Sequence, residues 1–239
     1  MNARTVLLAL AIKNKGDWNA MYQALREKPA EGLDESLCEG IADSDYMTFN
    51  DPDYPDMLRN SVMKPPLVLF TKGDKSLLNA KGQIALLSSR NEKASQKALD
   101  LIPNGKVYVV TDNFDVDSIM GKGKIIMWSA SPISKTDADK VHKVVSSGGL
   151  VVSELPDDAD KDKNSCMMRA LHMPATSESV AVVTPIKRQS GSNVAIMSAL
   201  QAGKDIYVIP TPIESDGDWS NNSLISDGAF ILCEQGQLA

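Results

Sequence analysis

Three cysteines and two histidines are all the thiol and imidazole side chains that 239 residues contain. Cys38, Cys166 and Cys233 lie far apart, no CxxC pair occurs, and His142 and His172 stand alone. A structural zinc site takes about four such ligands at short spacing. No metal site or cofactor is therefore expected, and the cysteines read as reduced, small apolar packing groups. Aromatic residues are scarce at 5%, which tells against a groove built mainly on base stacking. Long apolar runs are missing too. The longest near the N-terminus runs from Val6 to Ile12, far short of the roughly 20 residues a membrane-crossing helix needs. No small-residue cleavage site follows it, so the chain reads as cytoplasmic, with no membrane partner. Nor is there an excess of basic residues: the net charge is −6. A protein that coats nucleic acid nonspecifically needs many lysines and arginines. A small basic pocket on an acidic molecule is still compatible with that balance.

The chain does have an ordinary core-forming composition, 43% hydrophobic and 23% charged, so disorder is not expected. From residue 66 onward, short apolar runs alternate with helical patterns. The runs are Leu67–Phe70, Ile84–Leu87, Val107–Val110, Ile125–Trp128, Leu150–Val152, Val180–Val183, Ile206–Ile209 and Phe230–Leu232. Each is continuous rather than alternating, as in strands covered on both faces. Between them, helices are predicted over Glu92–Ile102, Thr136–Ser146 and Asn193–Ala202. The first turn of the second carries Asp137 and Asp139, where the helix dipole favours them, and Gly203 stops the third. The fold class that follows is α/β: a Rossmann-like, mostly parallel sheet with helices on both faces. Residues 1–53 differ and read as a small helical module, with helices over Thr5–Lys13, Asp17–Glu27 and Asp34–Ile41. The turn-rich Asn50–Pro55 then leads into the main domain, 54–239.

Several short segments give this order a familiar look. Tyr54-Pro55-Asp56-Met57-Leu58 is followed by Lys64-Pro65-Pro66-Leu67-Val68-Leu69-Phe70 and Lys72-Gly73-Asp74. Ile84-Ala85-Leu86-Leu87-Ser88-Ser89-Arg90, Gly148-Gly149-Leu150-Val151-Val152-Ser153-Glu154-Leu155-Pro156 and Ser190-Gly191-Ser192 come next. A helix ending Ala202-Gly203-Lys204, then Ile206-Tyr207-Val208-Ile209-Pro210 and Asp227-Gly228-Ala229, completes the series. In this order the segments resemble the DNA-processing protein A (DprA/Smf) family over about residues 54–233. The resemblance implies a non-enzymatic mediator of DNA recombination and natural transformation that binds single-stranded DNA. A RecA-type recombinase as partner and a homodimer are implied by the resemblance alone.

The departures are equally plain. The family's Ser-Gly-x-Ala-x-Gly-Ile-Asp motif is replaced by Thr111-Asp112-Asn113-Phe114-Asp115-Val116-Asp117, which lacks the glycines that let backbone approach a ligand. Of an Arg-Asn-Arg run only Arg169 remains, and Thr184 stands where an acid is found after the sixth strand. The winged-helix module of some members is not expected, so the chain reads as a divergent, shortened member.

Ligands of open parallel sheets sit beyond the carboxyl ends of the strands. Ser89 and Arg90 follow one such end, where hydroxyls, helix amides and a guanidinium suit a phosphate. Arg90 falls on the family's ligand arginine, although Ser89 alone would serve as a helix cap. Lys187, Arg188, Ser190 and Gly191 follow another strand and precede a helix, and they pair two cations with a helix N-terminus. A solvated loop with a capping serine is the plainer alternative. The resemblance adds Lys135 and Arg169 to the set, with a structural ion pair as the alternative for Arg169. Trp128, at a strand end, suits the core better than a base stack.

Three functions compete. One is single-stranded-DNA binding in these basic loops. Another is nucleotide chemistry or sensing, with Glu154 as the available acid but no histidine, triad or glycine-rich loop nearby. The third is a non-catalytic scaffold that has lost DNA binding.

Overall fold

A continuous apolar run suits a strand whose two faces are covered; all of the runs named above form strands, and Phe230 and Ile231 of the last are exposed. The structure is a computed structural model that describes residues 1–27, 32–61, 64–89, 93–187, 190–212 and 220–238. In chain order its elements are α1 (Ala3–Lys13), α2 (Trp18–Glu27), β1 (Tyr46–Thr48), α3 (Asp56–Ser61), β2 (Val68–Gly73) and β3 (Gln83–Leu87). They continue with α4 (Gln96–Asp100), β4 (Val107–Thr111), β5 (Lys124–Ser129), α5 (Ala138–Ser146), β6 (Leu150–Ser153) and α6 (Lys163–His172). The last are β7 (Ser179–Val182), α7 (Gly191–Gln201), β8 (Asp205–Val208), α8 (Ser220–Ser226) and β9 (Phe230–Ile231). The strands form one sheet in the order β1-β2-β6-β5-β4-β3-β7-β8-β9. All neighbours from β6 to β9 run parallel, whereas β2 is antiparallel to β6 and β1 to β2.

The sheet divides the core into two layers. Ile126, Trp128 and Val152 point to one side, where α6, the turn that follows it and α7 bring Ala170, Met173, Ala195 and Ile196. Ile125, Met127 and Val151 point to the other, against Leu99 of α4 and Val141 and Val144 of α5. Successive residues of β5 thus feed opposite layers, the physical origin of its unbroken apolar run. Trp128 is fully buried, as a core residue rather than a stacking platform.

Two of the family-like motifs have a mechanical origin. Gly73 has φ +114, and a Cβ there would overlap the Gly149 carbonyl. The same carbonyl accepts a hydrogen bond from the Asp74 amide at 3.1 Å. Lys72-Gly73-Asp74 and Gly148-Gly149 therefore meet where β2 crosses the start of β6, and only glycine allows that approach.

The N-terminal helices pack against this edge. Leu7, Leu8, Ala11 and Met21 share a cluster with Tyr46, Val68 and Phe70. The turn after α1 places Gly16 (φ +74) against Leu155 and the Glu154 carbonyl. The expected third helix over Asp34–Ile41 is instead a single 3₁₀ turn, Glu35–Cys38, capped by the Asp34 carboxylate; Gly40 follows at φ +81 and halts propagation. The helix expected over Glu92–Ile102 is likewise shorter, because Ser95 rather than an earlier residue caps α4 through the Ala98 amide. Four elements were not foreseen: β1, α3, α6 and α8. No helix among the described residues is long and apolar enough to cross a membrane.

Candidate functional site

The sheet order changes direction at β3: β4, β5 and β6 lie to one side of it, and β7, β8 and β9 to the other. The loops leaving β3 and β7 therefore diverge, and a crevice opens beyond their carboxyl ends. Hydrogen bonds tie the two loops together. The Ser89 amide donates to Thr184 Oγ1 at 2.7 Å, and Ser89 Oγ donates to the Pro185 carbonyl at 2.5 Å. Ser192 Oγ, in the first turn of α7, donates to the Ser88 carbonyl at 3.0 Å. Ser89 is thus a buried latch that neither caps the following helix nor offers a free hydroxyl. Thr184, where the family has an acid, is the acceptor for that latch.

Beside the latch lies a cavity of about 210 Å³, lined among others by Thr111, Asn113, Lys161, Arg169, Ser190 and Gly191. Ser190 caps α7, accepting from the Asn193 amide at 3.3 Å while donating to the Lys187 carbonyl at 2.6 Å. No acidic residue occupies the first turn of α7, so the positive end of the helix dipole faces the cavity uncompensated. A Cβ at Gly191 would meet nothing within 4 Å; glycine there leaves the helix end open and is not required by the backbone. Lys187 is exposed, in the connection from β7 to α7.

Across the cavity stands Arg169, carried by α6. Its side chain is only 11% exposed, and Nη1 is ion-paired with Asp112 Oδ1. The buried Nε has no partner. Asp112 follows β4 with its side chain 9% exposed, and its Oδ2 also accepts from Lys161 Nζ at 3.3 Å. The site thus gathers Arg169, Ser190 and Gly191 as expected, and adds Lys161 and Asp112, which sequence reasoning did not single out. The Lys135 ammonium is engaged elsewhere, with Asp160 at 2.7 Å and the Ala159 carbonyl at 2.6 Å. That pairing depresses the exposed Asp160 carboxyl, chiefly through the hydrogen bond from Lys135. Arg90 and Arg188 lie outside the described residues. Lys124 holds the Ser147 carbonyl at 2.8 Å from the amino end of β5, opposite the crevice.

A second cavity of about 380 Å³ shares the Arg169 wall and includes Lys15, Glu154 and Asp160. Here the expectation of no histidine near Glu154 is corrected: His172 Nδ1 lies 2.8 Å from Glu154 Oε1. At 2% exposed, this histidine is enclosed by the fold, with the Trp18 ring 6.2 Å away. The pair anchors the end of β6 to α6 and to the N-terminal helices. Nearby, burial, with help from the Glu154 charge, pushes the Tyr22 hydroxyl up to about 12.

Comparison with known proteins matches this chain, over residues 45–116 and 116–239, to the family described as DNA recombination-mediator protein A. DNA processing protein DprA of Bacillus subtilis (strain 168) is 27% identical over 194 residues, covering 75% of this chain and 65% of that protein. Protein Smf of Escherichia coli (strain K12) is 32% identical over 91 residues, covering 38% of this chain and 24% of its own length. The chain thus spans less than two thirds of each of these relatives. The X-ray structure of DprA from Streptococcus pneumoniae superposes with a TM-score of 0.78 at 20% identity, covering 99% of this chain and 96% of that one. DprA from Helicobacter pylori, solved in a study of its single-stranded DNA binding mode, gives 0.62 at 24% identity over 78% and 90% of the two chains. These likenesses show the shared fold.

Proposed function

This chain belongs to the DNA recombination-mediator protein A family, and from that premise we propose that it binds single-stranded DNA at the crevice between the β3 and β7 loops. The observation that carries the reading is the opposition of the α7 N-terminus to Arg169 and Lys161 across one small cavity. Backbone amides, a helix dipole and two cations converge there, the chemistry that holds a phosphate. At about 210 Å³ the cavity seats one phosphate group rather than enclosing a strand. The rest of the strand would run over the surface past the exposed Lys187; Arg90 and Arg188 are proposed as further phosphate contacts on the sequence and the family resemblance alone. Ser89 contributes by fixing the loop, and Lys135 by holding the neighbouring loop through Asp160. No catalytic group or cofactor is assigned, because binding and handing over a strand require neither.

A homodimer belongs to the same proposal. On α7, Met197 and Leu200 are about half exposed, and on β9, one of the two edge strands among the described residues, Phe230 and Ile231 are similarly uncovered. Apolar groups next to an open strand edge suit pairing with a second copy. Delivery to a RecA-type recombinase rests on the family resemblance alone. One observation favours the scaffold reading instead: Arg169 is already engaged by a carboxylate of its own chain.

The deciding experiment is binding of a fluorescent oligothymidine, about 30 nucleotides long to cover more than one site, at two salt concentrations with duplex as competitor. Salt-sensitive binding that prefers the single strand and weakens in Arg169→Ala is expected. No binding at low salt would leave the scaffold reading in its place.

A further inference from the structure

We propose that Asp112 is a resident competitor for the phosphate seat, a carboxylate that occupies the cations an incoming phosphate needs and so sets the affinity of the site. This rests on the phosphate-seat reading above and adds its regulation.

Three observations converge. First, Asp112 takes both cations of the cavity at once, Oδ1 on Arg169 Nη1 and Oδ2 on Lys161 Nζ. A carboxylate and a phosphate use the same fork geometry on a guanidinium. An acid fixed in the chain acts at high effective concentration, and a ligand must displace it. Second, the pairing is incomplete. Arg169 Nε is buried without an acceptor, so the carboxylate satisfies one nitrogen of a fork that a phosphate, with more oxygens, can satisfy on two. An unmet buried donor costs free energy that a better-fitting anion recovers. Third, Asp112 has somewhere to go. Ser129 Oγ and the Ala130 amide lie 3.4 Å from Oδ2, at the far limit of a hydrogen bond. The Ser129 hydroxyl at present donates to Thr136 Oγ1 at 2.7 Å, since Thr136 donates to the Pro132 carbonyl. A small rotation of the carboxylate toward Ala130, with the Ser129 hydroxyl turning to meet it, exchanges the cations for two neutral donors. The carboxylate therefore has two positions, one over Arg169 and one against the end of β5. A phosphate arriving at the α7 N-terminus favours the second.

Asp112 makes the seat conditional.

The experiment compares wild type, Asp112→Asn, Arg169→Ala and the double variant, with two probes at fixed ionic strength. The probes are inorganic phosphate, read by thermal stabilisation, and the fluorescent oligothymidine. Asn keeps the shape of Asp112 and its reach to Ser129 while removing the charge. It is expected to tighten phosphate binding about tenfold, the equivalent of one charge-assisted hydrogen bond freed for the ligand. Arg169→Ala is expected to cost more in the Asp112→Asn background than in wild type, the mark of direct coupling. Unchanged or weaker phosphate binding in a folded Asp112→Asn protein overturns the proposal. If that variant does not fold, Asp112→Ser is read in the same way, and if neither folds, Asp112 is a structural ion-pair partner and the proposal falls. The two readings also fail separately. Tighter phosphate binding with no oligothymidine binding by any variant supports the competitor and removes the DNA reading. Equal oligothymidine binding by wild type and Asp112→Asn, with phosphate unchanged, does the reverse.

Discussion

Ser89 and Pro185 meet although they are 96 residues apart: the serine hydroxyl donates to the proline carbonyl, and the Ser89 amide donates to Thr184 Oγ1 at 2.7 Å. That amide is buried, so removing its acceptor leaves a donor that water cannot reach. Thr184→Val, nearly the same shape, is expected to destabilise the fold by about 1–3 kcal/mol, with Thr184→Ser close to wild type. Urea unfolding of the three proteins measures this. An unchanged midpoint in Thr184→Val would mean the loops hold together without the latch.

Gly191 separates a ligand role from a structural one. Its backbone does not demand glycine, and a methyl group there meets open space. Gly191→Ala should leave the melting temperature unchanged or raise it, since alanine suits a helix better by up to about 1 kcal/mol. The same methyl intrudes where a phosphate would approach the α7 amides, so oligothymidine affinity should fall severalfold. Equal affinity in a folded variant would move the phosphate away from this helix end.

Lys187 should act through charge alone, because its side chain is exposed in the connection from β7 to α7. Lys187→Ala is expected to weaken oligothymidine binding uniformly across sequences. It should also flatten the plot of log affinity against log salt by about 0.7, the slope that belongs to a single neutralised phosphate of a single strand. Parallel plots for variant and wild type would show that the strand does not pass this residue.

Ile231 and Leu200 report on self-association. Replacing both with lysine and aspartate respectively alters only groups that are already about half exposed, so folding should be preserved. The mass by light scattering should fall from dimer to monomer. A wild type that is monomeric at all concentrations, or a double variant that remains dimeric, would remove this face from consideration.

The sheet was legible in the sequence because double-sided burial writes itself as unbroken apolar runs, and every run became a strand of nearly the expected length, including β9, whose Phe230 and Ile231 are exposed. What escaped had no such signature. β1 is three residues long, too short for any period. α6 buries Met168, Ala170 and His172, a spacing that does not follow one helix face. Its readable mark was the capping box in which Asp162 and Ser165 bond reciprocally. At the site, the helix-capping loop of Ser190 and Gly191 was readable because local sequence sets it. The ion pair of Asp112 with Arg169 spans 57 residues, and Lys135 finds Asp160 across a gap of 25. Such partners are chosen by how strands and helices are laid beside one another, which no local pattern encodes. The same holds for Glu154 and His172.

The antiparallel crossing of β2 over β6 has a further consequence, for how the protein behaves when cut. β6 ends the parallel part of the sheet, and its outer row of peptide groups is covered only because Phe70 to Gly73 lie against Leu150 to Ser153. β1 covers β2 in turn, and α1 roofs the apolar side chains Val68 and Phe70. A fragment starting at residue 54 would keep β2 but lose both β1 and that roof. A strand with one open edge and uncovered valine and phenylalanine is a template for strand addition from other molecules. In the intact chain β1 and α1 supply that cover.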